Sequence, residues 1–554
     1  MSNINNFKHQ FNNNYIEEKN NRFGLPLTIL VTVLEYLLLN YLLLIPLSAS
    51  FVGVFVVAII LLMINAFIIG LFTRTLQKQL QVFGGLSVIT IVILFVLWFF
   101  TTSPLLRADS YRKLAGDIET KNFSDQVSPI DLKQVPIVDA SYARNLADKK
   151  LGSITALGSQ VQLGSVTVQQ VKGKLCYVIP LEHSGFFKWL SNKEGTPGYI
   201  VVSATDPDDV QLVTEINGNP LKIKYQPEAY FGTNIFRYAY YKDMFKGLTD
   251  FSFEIDDEGN PYWVVSEYEK SVGFNGDKVT GALIINAQTG ETSRYNLDEI
   301  PVWVDRIMPL DIVNTNINNW GKLVHGVLNF SNKDKLQTTG ETSTVYYNDQ
   351  CYYYNGITSV GADESTVGFL LTNTRTNETT FFKVAGSTES ASMQSAEGKV
   401  QNMGYTASSP ILINVQDTPT YFLTLKDKKG LVKMYAMISV QNYNIVGIGE
   451  TLEATMSNYI EALSNKNTGS LDTTGVLKEG QGTIERIGTL QTDKDVLFYI
   501  ITKENPTTLL IAPANISKEL PLTKEGDKFS YKYIEMKNTD ITLKEFDNLN
   551  IDIK

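Results

Sequence analysis

The chain has 554 residues, 48 Lys+Arg against 58 Asp+Glu, and a formal net charge of -10. At roughly 100 to 200 residues per domain this length calls for several folded units, and the acidic balance lacks the cationic excess on which phosphate-backbone binding depends, so no nucleic acid partner is expected. Two cysteines and three histidines exclude a disulfide framework and leave too few ligands for a typical structural zinc set.

A mean hydropathy of -0.06 hides an uneven distribution. Residues 1–24 form a polar leader, and three apolar stretches follow: Leu25 to Leu47, Phe51 to Phe72 and Phe83 to Thr101. Each is about 20 residues, long enough at 1.5 Å per residue to cross a ~30 Å hydrocarbon core. Residues 25–102 are therefore expected to hold three transmembrane helices. A cleavable signal peptide fits the first stretch poorly, because its leader carries Glu17 and Glu18 and two further apolar stretches follow. Lys8, Lys19 and Arg22 in the leader and Arg74 and Lys78 in the loop 73–82 contrast with the uncharged Ser48 to Ser50. The positive-inside rule then puts the N-terminus in the cytoplasm and residues 103–554 outside it, against a weaker opposing signal from Arg107, Arg112 and Lys113.

Glu35 and Asn65 are the polar residues expected inside the membrane, at similar distances from the cytoplasmic ends of their helices, so a hydrogen bond between them is within reach. Such a pair serves as helix-packing glue, or as a partner-binding or oligomer-fixing contact. A proton relay lacks a second embedded ionisable group.

Past the membrane the pattern changes to α+β. Residues 103–150 read as a helical collar, with apolar residues at helical spacing in Leu105 to Ile118 and Asp139 to Leu151. From Leu151 onward short apolar runs alternate with turn signals such as Asn217-Gly218 and Asn355-Gly356, the mark of hairpins. Gly173 to Pro180 followed by Gly198 to Thr205 resembles Asp349 to Tyr354 followed by Val367 to Thr374, with Cys176 and Cys351 at like places. Pro261 to Ser266 and Gly281 to Asn286 likewise resemble Pro419 to Thr424 and Val432 to Ile438. Two related α+β modules are expected, 151–330 and 331–465. Residues 466–482, rich in Ser, Thr and Gly, read as a linker, and the short strands of 483–554 as a small C-terminal β-barrel.

No catalytic constellation, metal set or cofactor motif emerges. His183 and His325 have no motif-like neighbours, and Asp206, Asp208 and Asp209 lack calcium-loop spacing and read as a hairpin turn. The most pointed local feature is Phe186, Phe187 and Trp189, crowded between two strands where a polar connection is usual. They either pack under the sheet or form an exposed aromatic anchor for a partner. A second aromatic stretch runs from Tyr225 to Phe245.

Ala156 to Gly164, Phe186 to Gly198, Gly247 to Glu254 and Ile357 to Gly368 resemble segments of an uncharacterised family of large bacterial membrane-anchored proteins sometimes labelled cell shape-determining. The module holding Gln288 to Glu291 also resembles PepSY domains, a likeness that implies protein binding or protease inhibition. Neither resemblance supplies a mechanism. The expected function is a membrane-anchored extracytoplasmic scaffold of the envelope that binds other envelope proteins or itself. The alternatives are a cell-surface glycan- or peptide-binding module and a glycan hydrolase built on paired carboxylates.

Overall fold

The computed structural model of the chain describes residues 29–73, 76–123, 127, 135–154, 157–347, 350–361, 365–466, 477–491, 496–534 and 540–551. The leader, Arg74 and most of the expected linker lie outside them. Contacts divide the chain into two compact units, Met1–Ala462 and Leu463–Lys554.

Three apolar helices open the first unit: α1 (Ile29–Leu43), α2 (Val52–Thr73) and α3 (Leu76–Thr101). Two of them, not the expected three, are long and apolar enough to cross a membrane, over Val52–Leu71 and Gln77–Thr101. In the first stretch the described helix begins at Ile29 and stops at Leu43: Leu44 takes a left-handed φ of 50°, and Pro46 has no amide hydrogen to continue a helical ladder. The described part of α1 is thus about 22 Å long at 1.5 Å per residue. Both longer helices are apolar around their whole circumference, and Val88, Ile89 and Phe95 are exposed. A helix of that composition needs either a protein core or lipid around it, and among the described residues little covers these faces.

The collar is helical at both ends, with α4 (Pro104–Arg112) and α5 (Ala140–Gly152) flanking a short strand, β1 (Glu119–Lys121). A first antiparallel sheet follows, from β2 (Val161–Leu163), β3 (Thr167–Val171), β4 (Lys174–His183), β5 (Tyr199–Ser203) and β6 (Val210–Val213). Strands β3 and β2 pair one after the other along β4. Helix α6 (Phe186–Ser191) sits in the β4–β5 connection, and α7 (Ile235–Tyr240) leads out of the sheet. The second sheet is a meander of β7 (Gly247–Ile255), β8 (Pro261–Val272), β9 (Asn275–Asn286) and β10 (Thr292–Asn296), followed by α8 (Leu310–Lys322).

The same order then recurs. A meander of β11 (Leu336–Tyr347), β12 (Gln350–Ser359), β13 (Gly368–Asn373) and β14 (Thr379–Phe382) leads to α9 (Glu389–Lys399). Another, of β15 (Ile411–Val415), β16 (Thr418–Lys426), β17 (Val432–Ser439) and β18 (Val446–Gly449), leads to α10 (Leu452–Lys466). Cys176 on β4 and Cys351 on β12 each occupy the second strand of a meander, and both are buried.

Side chains alternate faces along a strand, and in the middle sheets both faces are buried. Trp263 and Val265 of β8 join Val178 and Phe253 in one core, while Val264 joins Tyr353, Ile357 and Leu370 in the next. On β12, Tyr353 belongs to that core and Tyr354 to a further one with Tyr421 and Leu423. The sheets are thus packed face to face in chain order. One core spans residues on both sides of position 330, so the expected module boundary does not separate two cores. The succession curls back on itself: Asp139, the N-cap of α5, pairs with Lys426 at the end of β16, and α5 packs through Ala143, Ala147 and Leu151 on the first sheet.

In the second unit, β19 (Leu477–Gln491), β20 (Val496–Thr502), β21 (Leu509–Pro513), β22 (Lys528–Ile534) and β23 (Asp540–Asn548) pair in one closed circuit around Ile484, Ile500, Leu510 and Phe529. Its first strand begins at Leu477, within the stretch expected as linker.

Candidate binding surface

Helix α6 follows Gly185, whose φ of 111° turns the chain out of β4 and whose carbonyl accepts from the Lys188 and Trp189 amides. Phe187 and Trp189 stand two residues apart, about 200° around a helix, so they face opposite ways. Trp189 is buried and Phe187 is 80% exposed. The Trp189 indole N–H donates to Thr233 Oγ1 at 3.2 Å, and its ring lies 5.4 Å from Tyr230 and 5.6 Å from Phe231. Phe186, part-exposed, closes on Tyr230 at 5.0 Å and on Phe187 at 5.5 Å. The structure therefore joins Phe186, Phe187 and Trp189 to the start of the second aromatic stretch, with one ring as foundation and Phe187 and Phe231 facing solvent. Their proximity was not readable from the sequence, since Tyr230 and Phe231 arrive from some forty residues further along.

Beside α6 lies a cleft of about 700 Å³, lined by Gln160, His183, Lys188, Asn192, Glu215 and Lys222 among others. That volume lies within the usual range for ligand sites. The buried Gln226 ties segments that line it together: its Oε1 accepts the His183 amide at 2.7 Å, and its Nε2 donates to Ile223 O at 2.7 Å and Thr196 Oγ1 at 3.1 Å. Gly195, at φ 123°, lets the loop pass so close that a Cβ would lie 2.6 Å from the Ile223 backbone. Burial holds the His183 imidazole below its ordinary pKa, so it is neutral at pH 7. Burial pushes the neighbouring Glu182 up to about 7, with Glu228 adding to the rise and Arg144 opposing it.

A second polar cluster lies deep between the sheets. Glu254 of β7 is fully buried, accepts Ser252 Oγ at 2.9 Å, and is driven up to about 8 by desolvation and then by Asp305. Arg306 pairs with Asp250 at 3.4 Å. Asp305 accepts the Gln170 amide at 2.5 Å and the Tyr346 hydroxyl at 3.5 Å, and burial raises it to about 6. Desolvation pushes both thiols, Cys176 and Cys351, up to about 12, which leaves them protonated and inert. Among the described residues no group of three or more His, Cys, Asp or Glu side chains is placed to hold a metal ion. Asp206 and Asp256 instead accept amides of their own turns, and His325 forms an exposed pair with Asp334.

Between the apolar helices α1 and α2, Asn65 Nδ2 donates to Glu35 Oε2 at 3.3 Å and to Leu61 O at 2.8 Å, while its Oδ1 accepts Thr32 Oγ1 at 2.8 Å. The helix ends are seated on the body. Asn40 Nδ2 donates to Tyr240 Oη at 2.6 Å, Tyr240 Oη to Ile45 O at 2.8 Å, and the Leu47 amide to Met244 O at 2.6 Å. Phe51 meets Tyr268 and Phe55 meets Phe274 edge to face. Thr102 Oγ1 accepts the Phe274 amide at 2.9 Å. Gly273, at φ 62°, permits this seat, for a Cβ there would lie 2.3 Å from that oxygen.

No family model and no curated protein matches the chain. Among solved structures it is similar to a Bacillus subtilis levansucrase mutant at 9% identity and a TM-score of 0.18, covering 77% of this chain and 96% of that one. Trypanosoma rangeli sialidase gives 10% identity and a TM-score of 0.14, covering 70% and 55%. Polysaccharide lyase Uly1 gives 8% and 0.15, covering 61% and 74%. Scores this low transfer neither a fold nor an activity.

Proposed function

We propose that the chain is a membrane-anchored interaction protein of the bacterial envelope that binds a partner protein through α6 and the adjoining cleft. The observation that carries this reading is Phe187, a large aromatic side chain 80% exposed on a helix fixed from beneath by Trp189. An exposed aromatic on a rigid seat is the usual form of an interface anchor, because little side-chain entropy is lost when it is covered. In this reading the body faces the extracytoplasmic side. Helix α2 starts and α3 ends at the body, and Lys78 lies in the first turn of α3, at its opposite end, where a basic residue favours the cytoplasmic side.

A photo-crosslinking residue placed at Phe187 in the full chain, in native membranes, tests the reading. Adducts at this position that are absent at the equally exposed Val302 are expected. Equal, background-level adducts at both sites would remove the proposal, and retention on a glycan array that depends on Phe187 would move it to a glycan-binding module. Membrane-impermeant maleimide should label Val302→Cys but not Lys78→Cys in intact cells, and the reverse pattern would invert the orientation.

A further inference from the structure

The underside of the body, where the apolar helices enter it, carries apolar side chains that the described residues leave half or more exposed. Leu105 and Leu106, on the first turn of α4 just past the end of α3, are 54% and 52% exposed, and Phe245 is 62% exposed. Helix α4 is fixed in place, because the Tyr111 hydroxyl donates to Thr102 O at 2.7 Å and Arg107 Nε to Phe100 O at 3.2 Å. Phe245 is fixed by its neighbour Met244, whose carbonyl takes the Leu47 amide. Tyr241, half-exposed, reaches Asn40 of α1 through its hydroxyl at 3.3 Å. Leu105 and Leu106 thus follow the end of α3 within five residues, and Tyr241 and Phe245 stand beside the end of α1 and the turn that leads into α2. Two basic residues adjoin them in the chain, Arg107 and Lys242, side chains of the type that reach from an apolar surface to headgroups.

We infer that the base of the body, through Leu105, Leu106, Tyr241 and Phe245, is itself a lipid-contact surface that rests in the headgroup–acyl boundary of the bilayer. This rests on the membrane reading of α2 and α3. The body is then held against the membrane plane rather than swinging on a tether, which fixes the height of the α6 surface.

The test uses the full chain in nanodiscs of phosphatidylcholine and phosphatidylglycerol, with nitroxide labels at Leu106→Cys, Phe245→Cys, Leu97→Cys in α3, and Val302→Cys. Val302 adjoins Trp303, which packs on Tyr262 at the end of β8 away from the membrane helices. Native Cys176 and Cys351 are buried and are not expected to label. The ratio of oxygen to nickel-chelate accessibility should be several-fold higher at 106 and 245 than at 302. If 106 or 245 matches 302 while Leu97 reads as lipid, the inference falls and the membrane spans stand. If Leu97 also reads as aqueous, the membrane reading falls and takes the inference with it. Protection of 106 and 245 from both reagents marks a protein contact and overturns it.

Discussion

The guanidinium of Arg237 lies 4.4 Å from the centroid of the Tyr41 ring, and its Nε reaches the Tyr41 carbonyl at 3.4 Å. One side chain of the folded body thus grips an apolar helix from nearly two hundred residues earlier, by ring face and backbone together. A part-buried cation–π pair contributes about 0.5 to 2 kcal/mol. In the full chain in detergent, Arg237→Ala is expected to lower unfolding stability by about 1 kcal/mol, with a coupling to Tyr41→Leu of similar size in a double-mutant cycle. Additive effects would show that the stacking contributes nothing.

Asn65 satisfies three partners at once, so its loss and the loss of Glu35 are not equivalent. Glu35→Gln keeps an acceptor oxygen for Asn65 Nδ2 and would remove a carboxyl group that is costly wherever hydrocarbon surrounds it. It should insert and fold as the parent does. Asn65→Leu strips Thr32 and Glu35 of their shared partner and should cost about 1 kcal/mol of helix association. Denaturation titrations in mixed micelles read both. A Glu35→Gln chain that folds normally but no longer co-purifies with its parent's partners would give Glu35 a recognition role instead.

How much of this was legible beforehand depends on the range of the interaction. The repeated order of strand, turn and strand, with Cys176 and Cys351 at matching places, was readable because period-two patterning is local. That Val264 and its neighbours Trp263 and Val265 feed two different cores was not, since an apolar run marks burial without saying against what. The aromatic cluster at α6 was visible, but which ring would be covered depended on Tyr230 and Phe231 folding onto it. The end of the first apolar stretch was set by the backbone. Composition over 25–47 counts as a span, and the turn at Leu44 and Pro46 ends the helix early. Glu254, Asp305 and Arg306 left no local signal, because their proximity is created by sheet packing.

That buried cluster makes stability depend on pH. Folding raises Glu254 from its ordinary 4.5 to about 8 and Asp305 from 3.8 to about 6. The folded state therefore holds protons that the unfolded chain has released, and the stability present below the unfolded pKa is lost as pH rises through the folded one. Asp305 acts between roughly pH 4 and 6, and Glu254 between roughly pH 4.5 and 8. At 1.36 kcal/mol per unit the Glu254 contribution reaches at most roughly 5 kcal/mol. Scanning calorimetry from about pH 5 to pH 8 should show a falling Tm that flattens in Glu254→Gln. Parallel profiles for the two chains would mean that Glu254 titrates normally.

Phe187 and Trp189 offer the sharpest separation of recognition from packing. Phe187 is 80% exposed, so Phe187→Ala should leave unfolding stability within about 0.5 kcal/mol of the parent. Trp189 is buried under Phe186, Tyr230 and Phe231 and hydrogen-bonded to Thr233, so Trp189→Ala should cost about 3 to 5 kcal/mol. If α6 is the recognition surface, both variants lose partner capture, Phe187→Ala with its fold intact and Trp189→Ala through collapse of the seat. Capture that survives Phe187→Ala at parental strength would place recognition elsewhere and leave Phe187 an incidental exposed ring. Equal destabilisation by the two would mean that Phe187 is covered in the native protein, against the exposure seen here.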